Sequence, residues 1–107
     1  MRETRKNQPV RPTLEEILST LRAHLPELRQ RHGIASIGVF GSYVRGEQRR
    51  SSDLDLLVEF ERTPSLLQLS AMQREMGDLL GVSVDLVLRR TLKPAIGERI
   101  LAEVVYP

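Results

Sequence analysis

The chain of 107 residues contains no cysteine and no tryptophan. Without cysteine there is no disulfide framework, no thiolate zinc site and no cysteine nucleophile. Aromatic residues make up only 4% of the sequence, which argues against a platform that stacks the bases of single-stranded nucleic acid. No apolar run approaches the roughly 18 residues of a membrane span, and the charged first residues lack the apolar region of a signal peptide. These absences predict a soluble, cytoplasmic protein.

Length and composition are those of one globular domain, with 40% apolar and 28% charged residues. Residues 1–12 are polar and contain two prolines, which predicts a flexible N-terminal tail. Residues 13–107 are expected to form the single folded domain.

Amphipathic patterns predict three longer helices. A capping box opens the first helix at Thr13, and Gly33 ends it, while Pro26 should kink it or begin a second short helix. The last helix is expected to begin at Pro94. In the second helix, residues 65–80, the apolar residues at helical spacing are expected to face the core: Leu66, Leu69, Met72, Met76 and Leu80. In the last helix, Ile96, Ile100 and Val104 recur every four residues.

Three apolar stretches predict strands over residues 34–40, 53–60 and 82–89, with a short helix after the first strand. Alternation places Asp53 and Asp55 on one face of the second strand and Asp85 opposite the aliphatic residues of the third. The order of the elements predicts a small α/β (α+β) domain, in which a mixed sheet of at least three strands packs with helices.

Two ionised carboxylates on one face of a mostly apolar strand repel each other where solvation is poor. For an isolated Asp-x-Asp, the simpler interpretation is that Asp53 caps a loop and Asp55 is exposed. Asp85 makes that simpler interpretation less favoured, because pairing of the second and third strands would bring three carboxylates to one patch. Such a patch predicts a site for hard divalent cations with oxygen ligands, Mg²⁺ or Mn²⁺.

Gly41 and Ser42 follow the first strand and open the predicted short helix. A glycine turn of this kind exposes backbone N–H groups to phosphate, and Ser42 adds a hydroxyl donor. A Gly-Ser pair alone is mostly an ordinary turn, and the sequence has neither a P-loop nor the glycine spacing of a dinucleotide fingerprint. A phosphate cradle together with a carboxylate cluster predicts two-metal chemistry on a nucleoside triphosphate.

Gly41-Ser42, ten residues and then Asp53-x-Asp55 resembles the GS-x10-DxD signature of the DNA polymerase beta-like nucleotidyltransferase superfamily. The length and the local sequence GSYVRGE…SDLDLLVEF look most like its minimal nucleotidyltransferases, the MNT-domain antitoxins of the MntA type that are encoded beside HEPN-domain toxins. The resemblance covers roughly residues 14–106 and implies the polymerase beta-like fold.

The resemblance implies a role for each acidic residue of the motif. Asp53 and Asp55 would ligate two Mg²⁺ ions, with Mn²⁺ as an alternative. Asp85 would ligate one of these ions and help to activate the attacking hydroxyl.

The resemblance also implies that Gly41 and Ser42 bind the β- and γ-phosphates of ATP or another nucleoside triphosphate. Arg45 occupies the arginine of the family's GSxxRG pattern, where it would support the loop or contact phosphate. Arg49 and Arg50 are expected to be solvated.

As a function, the resemblance implies an antitoxin that moves AMP from ATP onto a tyrosine hydroxyl of a partner HEPN toxin, with which it could form a hetero-oligomer. Leu66, Leu67 and Val105 are candidate apolar contacts on the outer helices. Two alternatives stay open. The protein could be an antitoxin that acts by binding alone, although three converging acids favour catalysis. It could also be a nucleotidyltransferase for a small molecule or nucleic acid, although such relatives generally carry an additional domain for the acceptor.

Overall fold

A computed structural model describes residues 11–107, which contain a three-stranded mixed sheet packed with helices. The predicted α/β fold is confirmed. The elements follow in the order α1 (Leu14–His32), β1 (Ile34–Phe40), α2 (Ser42–Arg45), β2 (Leu54–Phe60), α3 (Leu66–Leu80), β3 (Val84–Leu88), a 3-10 turn (Arg89–Thr91) and α4 (Pro94–Glu103).

The strands lie in the order β1-β2-β3, antiparallel between β1 and β2 and parallel between β2 and β3. A parallel pair needs a long crossover, which α3 provides between β2 and β3. α1 and α3 cover one face of the sheet, and their apolar stripes meet the inward residues of the strands. The main core consists of Ile17, Leu21, Leu28, Ile34, Ile37, Val39, Tyr43, Leu54, Leu56, Val58, Met72, Met76, Leu80, Val84 and Leu86.

Local signals set the ends of the two long helices. Thr13 and Ser65 form capping boxes at their starts, and Gly33 and Gly81 end them in the left-handed conformation. Pro26 lies inside α1, so the prediction that it could begin a second helix is wrong. The buried residues of α1 lie on both sides of this exposed proline, and their packing on the sheet holds the helix as one element.

The C-terminal segment pairs with the edge of β1 that faces away from β2, and its Val104 and Tyr106 side chains lie over Gly38 on the second face of the sheet. Val105 exchanges two backbone hydrogen bonds of 2.8 Å with Val39 in an isolated antiparallel bridge. Gly38 permits this approach, because a Cβ there would lie 2.6 Å from Val104 Cγ2 and 3.0 Å from the Tyr106 ring. Leu57, the register partner of Gly38, is buried on this same face.

Three predicted positions differ from the structure. Leu66, expected in the core, is the first residue of α3 and is 85% exposed, because its side chain precedes the part of the helix that contacts the sheet. Val104 follows the end of α4 rather than extending it. Val105 was expected on an outer helix, but it lies in the bridge to Val39.

The predicted tail lies outside the described residues except for Arg11 and Pro12. Within the described part of the chain, no helix is both long and apolar enough to span a membrane.

Candidate active site

The strand register brings together two of the predicted acidic residues. Asp55 of β2 is the parallel register partner of Asp85 of β3, so their side chains leave the same face of adjacent strands. Asp53 lies two residues before Asp55, at the entry to β2. This face is opposite the one that α1 and α3 cover, which leaves it accessible to a ligand.

The surroundings of Asp55 disfavour its ionised form. Partial burial, followed by the charges of Asp85 and Asp53, raises its pKa from the ordinary value of 3.8 to about 6. Asp53 and Asp85 themselves are exposed. Asp85 and Asp53 are therefore close enough to disfavour ionisation of Asp55.

In residues 11–107, no group of three or more His, Cys, Asp or Glu side chains is already arranged to hold a metal ion. The chemistry of the carboxylate patch nevertheless fits Mg²⁺ or Mn²⁺, since it offers hard oxygen donors on adjacent strands. A divalent cation would offset the burial and the neighbouring negative charges that raise the pKa of Asp55. Asp53 and Asp85 are exposed, and the predicted metal-ligand set of Asp53, Asp55 and Asp85 stays a prediction with which the strand register is compatible.

Gly41 places the turn after β1 directly against Asp55. Its φ of 84° and ψ of −150° lie in a region that side chains disfavour. A Cβ at this position would lie 3.2 Å from Asp55 Cγ and closer still to the carboxylate oxygen. Ser42, the first residue of α2, follows and is half-buried. The predicted phosphate-binding residues are thus beside the carboxylate patch.

A fourth carboxylate, that of Glu103 at the end of α4, is bound to this turn. The Gly41 N–H donates to Glu103 Oε2 at 2.7 Å, and Arg45 Nη1 donates to Glu103 Oε1 at 2.7 Å. Burial opposes ionisation of Glu103, but the hydrogen bonds from Arg45 and Gly41 outweigh it and lower the pKa of Glu103. Arg45 also donates to Glu47 Oε1 at 2.9 Å, so its contacts are those of loop support.

A cavity of about 390 Å³ separates α4 from the ends of β1 and β2. Asp55 opens into it from the sheet, which gives a substrate room beside the carboxylates. Its other walls are Phe40, Gly41, Arg45, Ile96, Arg99, Ile100 and Glu103. Arg99 and Glu103 belong to no motif in the sequence. The helical spacing of Ile96, Ile100 and Val104 was the one signal that α4 packs near the sheet.

The loop that leads into Asp53 is tied to the N-terminal segment. Arg11 donates to the backbone carbonyls of Arg50 and of Ser52, the latter at 2.7 Å. The loop closes on itself through Ser52 N–H to the Arg49 carbonyl at 2.9 Å and Arg49 N–H to Ser52 Oγ at 2.7 Å. Arg49 and Arg50 are exposed, as predicted. No sequence motif marks Arg11 for this contact.

The chain is similar to known proteins over most of its length. Residues 21–107 match the nucleotidyltransferase domain family. The chain is 54% identical over 94 residues to the protein adenylyltransferase MntA of Thermococcus cleftensis, and the match covers 88% of this chain and 95% of that protein.

Two solved structures share the fold. One, provisionally identified as a minimal nucleotidyltransferase, has a TM-score of 0.69 and 44% identity over 84% of this chain and 95% of its own. The other, a toxin–antitoxin crystal structure with AMP-PNP, has a TM-score of 0.63 and 26% identity over 84% of this chain and 68% of its own.

Proposed function

This chain belongs to the nucleotidyltransferase domain family, and from that premise we propose that it is a metal-dependent protein adenylyltransferase. Its resemblance to the minimal nucleotidyltransferases is confirmed by the relative and the solved structure that share most of its length. The proposed reaction moves AMP from ATP to a tyrosine hydroxyl of a HEPN-domain toxin, and this chain acts as the antitoxin. The observation that carries the proposal is the register of Asp55 with Asp85 beside the Gly41 turn.

The reaction exchanges a phosphoanhydride bond of ATP for a phosphate ester bond to the acceptor. The acceptor oxygen forms a bond to the α-phosphorus of ATP, and the bond from that phosphorus to the oxygen that bridges to the β-phosphate breaks. Pyrophosphate leaves with the electron pair of the broken bond. The hydroxyl proton passes to a carboxylate oxygen, for which Asp85 is the proposed acceptor because it is exposed and lies in register with Asp55.

The acidic residues have a second task in this proposal. Asp53, Asp55 and Asp85 would hold Mg²⁺, which when bound supplies positive charge against the phosphates in the transition state. Burial and the charges of Asp85 and Asp53 disfavour the ionised form of Asp55, and a bound cation would stabilise that form. Ser42 would donate its hydroxyl to the triphosphate, and the Gly41 turn would set the distance from triphosphate to carboxylates.

Two comparisons support a protein acceptor and an adenine nucleotide. The relative from Thermococcus cleftensis is named a protein adenylyltransferase, and the toxin–antitoxin structure was obtained with AMP-PNP. Binding-only antitoxins need no converging acids, so the geometry around Asp55 favours catalysis over neutralisation by contact alone. The exposed leucines at the start of α3, Leu66 and Leu67, remain candidates for the contact with the toxin.

The test is to incubate the protein with Mg²⁺, ATP and the HEPN toxin encoded beside it and then to weigh the toxin. A gain of one or more AMP groups on a tyrosine is expected, together with loss of ribonuclease activity. The Asp53→Asn/Asp55→Asn double variant should produce neither, whereas Asp78→Asn, which changes an exposed acid on α3, should behave as the wild type. If the double variant silences the toxin without a mass change, the binding-only alternative is correct.

A further inference from the structure

The Glu103 carboxylate binds the two donors that border the glycine turn. It accepts from the Gly41 N–H through one oxygen and from the Arg45 guanidinium through the other, each at 2.7 Å. Both donors face the cavity into which Asp55 opens. The two carboxylate oxygens each accept a hydrogen bond, one from a backbone N–H and one from an arginine. A phosphate group bound there would accept the same two hydrogen bonds.

The helix that carries Glu103 is weakly held. None of the residues of α4, Pro94–Glu103, is buried, and Ile96 is 50% exposed although it borders the cavity. Just after Glu103 the chain turns extended at Val104, and Val105 is fixed to Val39 by its two backbone hydrogen bonds. The end of α4 thus lies between the bridge that holds Val105 and the open cavity. Glu103 attaches this end of the helix to the glycine turn.

We propose that Glu103 is an internal competitor of the triphosphate, holding Gly41 and Arg45 in the nucleotide-free protein and releasing both when ATP binds. The inference rests on the proposed function, since it takes the Gly41 turn as the place where the triphosphate sits. The inference adds Glu103, which lies outside the acidic motif, as a residue that sets nucleotide affinity. Glu103 acts through its contact with Gly41, 62 positions away in the sequence.

Charge makes the two occupants mutually exclusive. A phosphate and the Glu103 carboxylate are both anions, so they cannot share the same two donors without strong repulsion. The contact that must be given up is modest, because Arg45 is about half exposed and exposed ion pairs contribute little to stability.

The test measures the dissociation constant of Mg²⁺–ATP by calorimetry, without any acceptor. Glu103→Gln removes the competing charge and should tighten binding about tenfold, or about 1.4 kcal/mol. Glu103→Asp keeps the charge, but its shorter side chain cannot reach both donors, so it should also tighten binding. Thermal melts without nucleotide establish that each variant is folded.

Two variants serve as matched controls. Glu47→Gln removes the other carboxylate on Arg45 but leaves Gly41 engaged, and Glu98→Gln removes an exposed charge from the same helix. Both make the same change in net charge and should alter the dissociation constant less than about twofold.

The outcomes separate this inference from the proposed function. If the wild type binds Mg²⁺–ATP and Glu103→Gln binds it equally or more weakly, Glu103 is not a competitor, while adenylyl transfer stands. If only Glu103→Gln, and not Glu103→Asp, tightens binding, simple charge repulsion replaces competition and the inference fails. If neither the wild type nor any variant binds Mg²⁺–ATP, the proposed function and this inference both fail.

Discussion

The carboxylate of Asp55 lies against the α-carbon of Gly41, with its Cγ 3.2 Å from the place that a Cβ on residue 41 would occupy. One residue from the turn after β1 and one from β2 thereby define the spacing between the proposed triphosphate site and the carboxylate patch. The contact is possible because residue 41 has no side chain and adopts a φ of 84°.

Gly41→Ala should therefore remove activity. The new methyl group must displace the Asp55 side chain, and the positive φ adds strain, so we expect a loss of about 1–3 kcal/mol in stability and at least a hundredfold loss of AMP transfer. Gly33→Ala is the control, because residue 33 has a φ of 68° but open space around its Cβ position. It should lose stability through φ alone and keep its transfer activity. Equal activity of the two variants would show that the Gly41–Asp55 contact has no catalytic importance.

The charge on Asp55 should make the metal-free protein less stable as pH rises. Its pKa in the folded protein, about 6, exceeds the ordinary value of 3.8, so the folded state holds the proton more tightly than the unfolded state does. The destabilisation is absent below about pH 4, grows between about pH 4 and 6, and is complete above that range. Since Asp55 is only partly buried, we expect about 1 kcal/mol after allowance for solvent screening.

Asp55→Asn should accordingly raise the free energy of unfolding above pH 6 and leave it unchanged below pH 4, as measured by urea denaturation in EDTA. Asp78→Asn should show no such pH-dependent gain. A gain for Asp55→Asn that persists unchanged at pH 3.5 would point to packing rather than charge as its cause.

Removal of divalent cations should weaken nucleotide binding. With EDTA the carboxylate patch and the triphosphate repel each other, so ATP should bind at least about tenfold more weakly than with Mg²⁺ by calorimetry. In the Asp53→Asn/Asp55→Asn variant, Mg²⁺ should have much less effect, because two of its proposed ligands are gone. Equal affinity of the wild type in Mg²⁺ and in EDTA would contradict the proposed metal site.

Loss of the Arg11 hydrogen bonds to the loop before Asp53 should slow AMP transfer without destroying the fold. Arg11→Met removes both hydrogen bonds to the loop before Asp53, so the carboxylate patch should be less well ordered. We expect kcat to fall about tenfold with little change in the KM for ATP, measured with the toxin as acceptor. Arg22→Met, on the exposed side of α1, is the control and should keep the wild-type kcat. A wild-type kcat in Arg11→Met would exclude a positioning role for Arg11.

The sequence by itself determined the elements and the residues of the acidic motif. Alternation of apolar residues with Asp53 and Asp55 identified β2, and capping residues and glycines marked the helix ends, because these signals act within a few positions along the chain. The strands found lie within one or two residues of those predicted. Strand periodicity also placed Asp85 on the correct face of β3, opposite the core.

Tertiary structure alone decided how these elements meet. The parallel register that pairs Asp55 with Asp85 depends on the crossover through α3, which periodicity within a strand cannot specify. Glu103 reaches Gly41 across 62 positions and Arg11 reaches Ser52 across 41, so no local pattern could reveal either contact. Pro26 stayed inside α1 because packing on the sheet outweighs its local preference. The sequence identifies the acidic residues of the site, and the packing of α4 and of Arg11 decides which groups surround them.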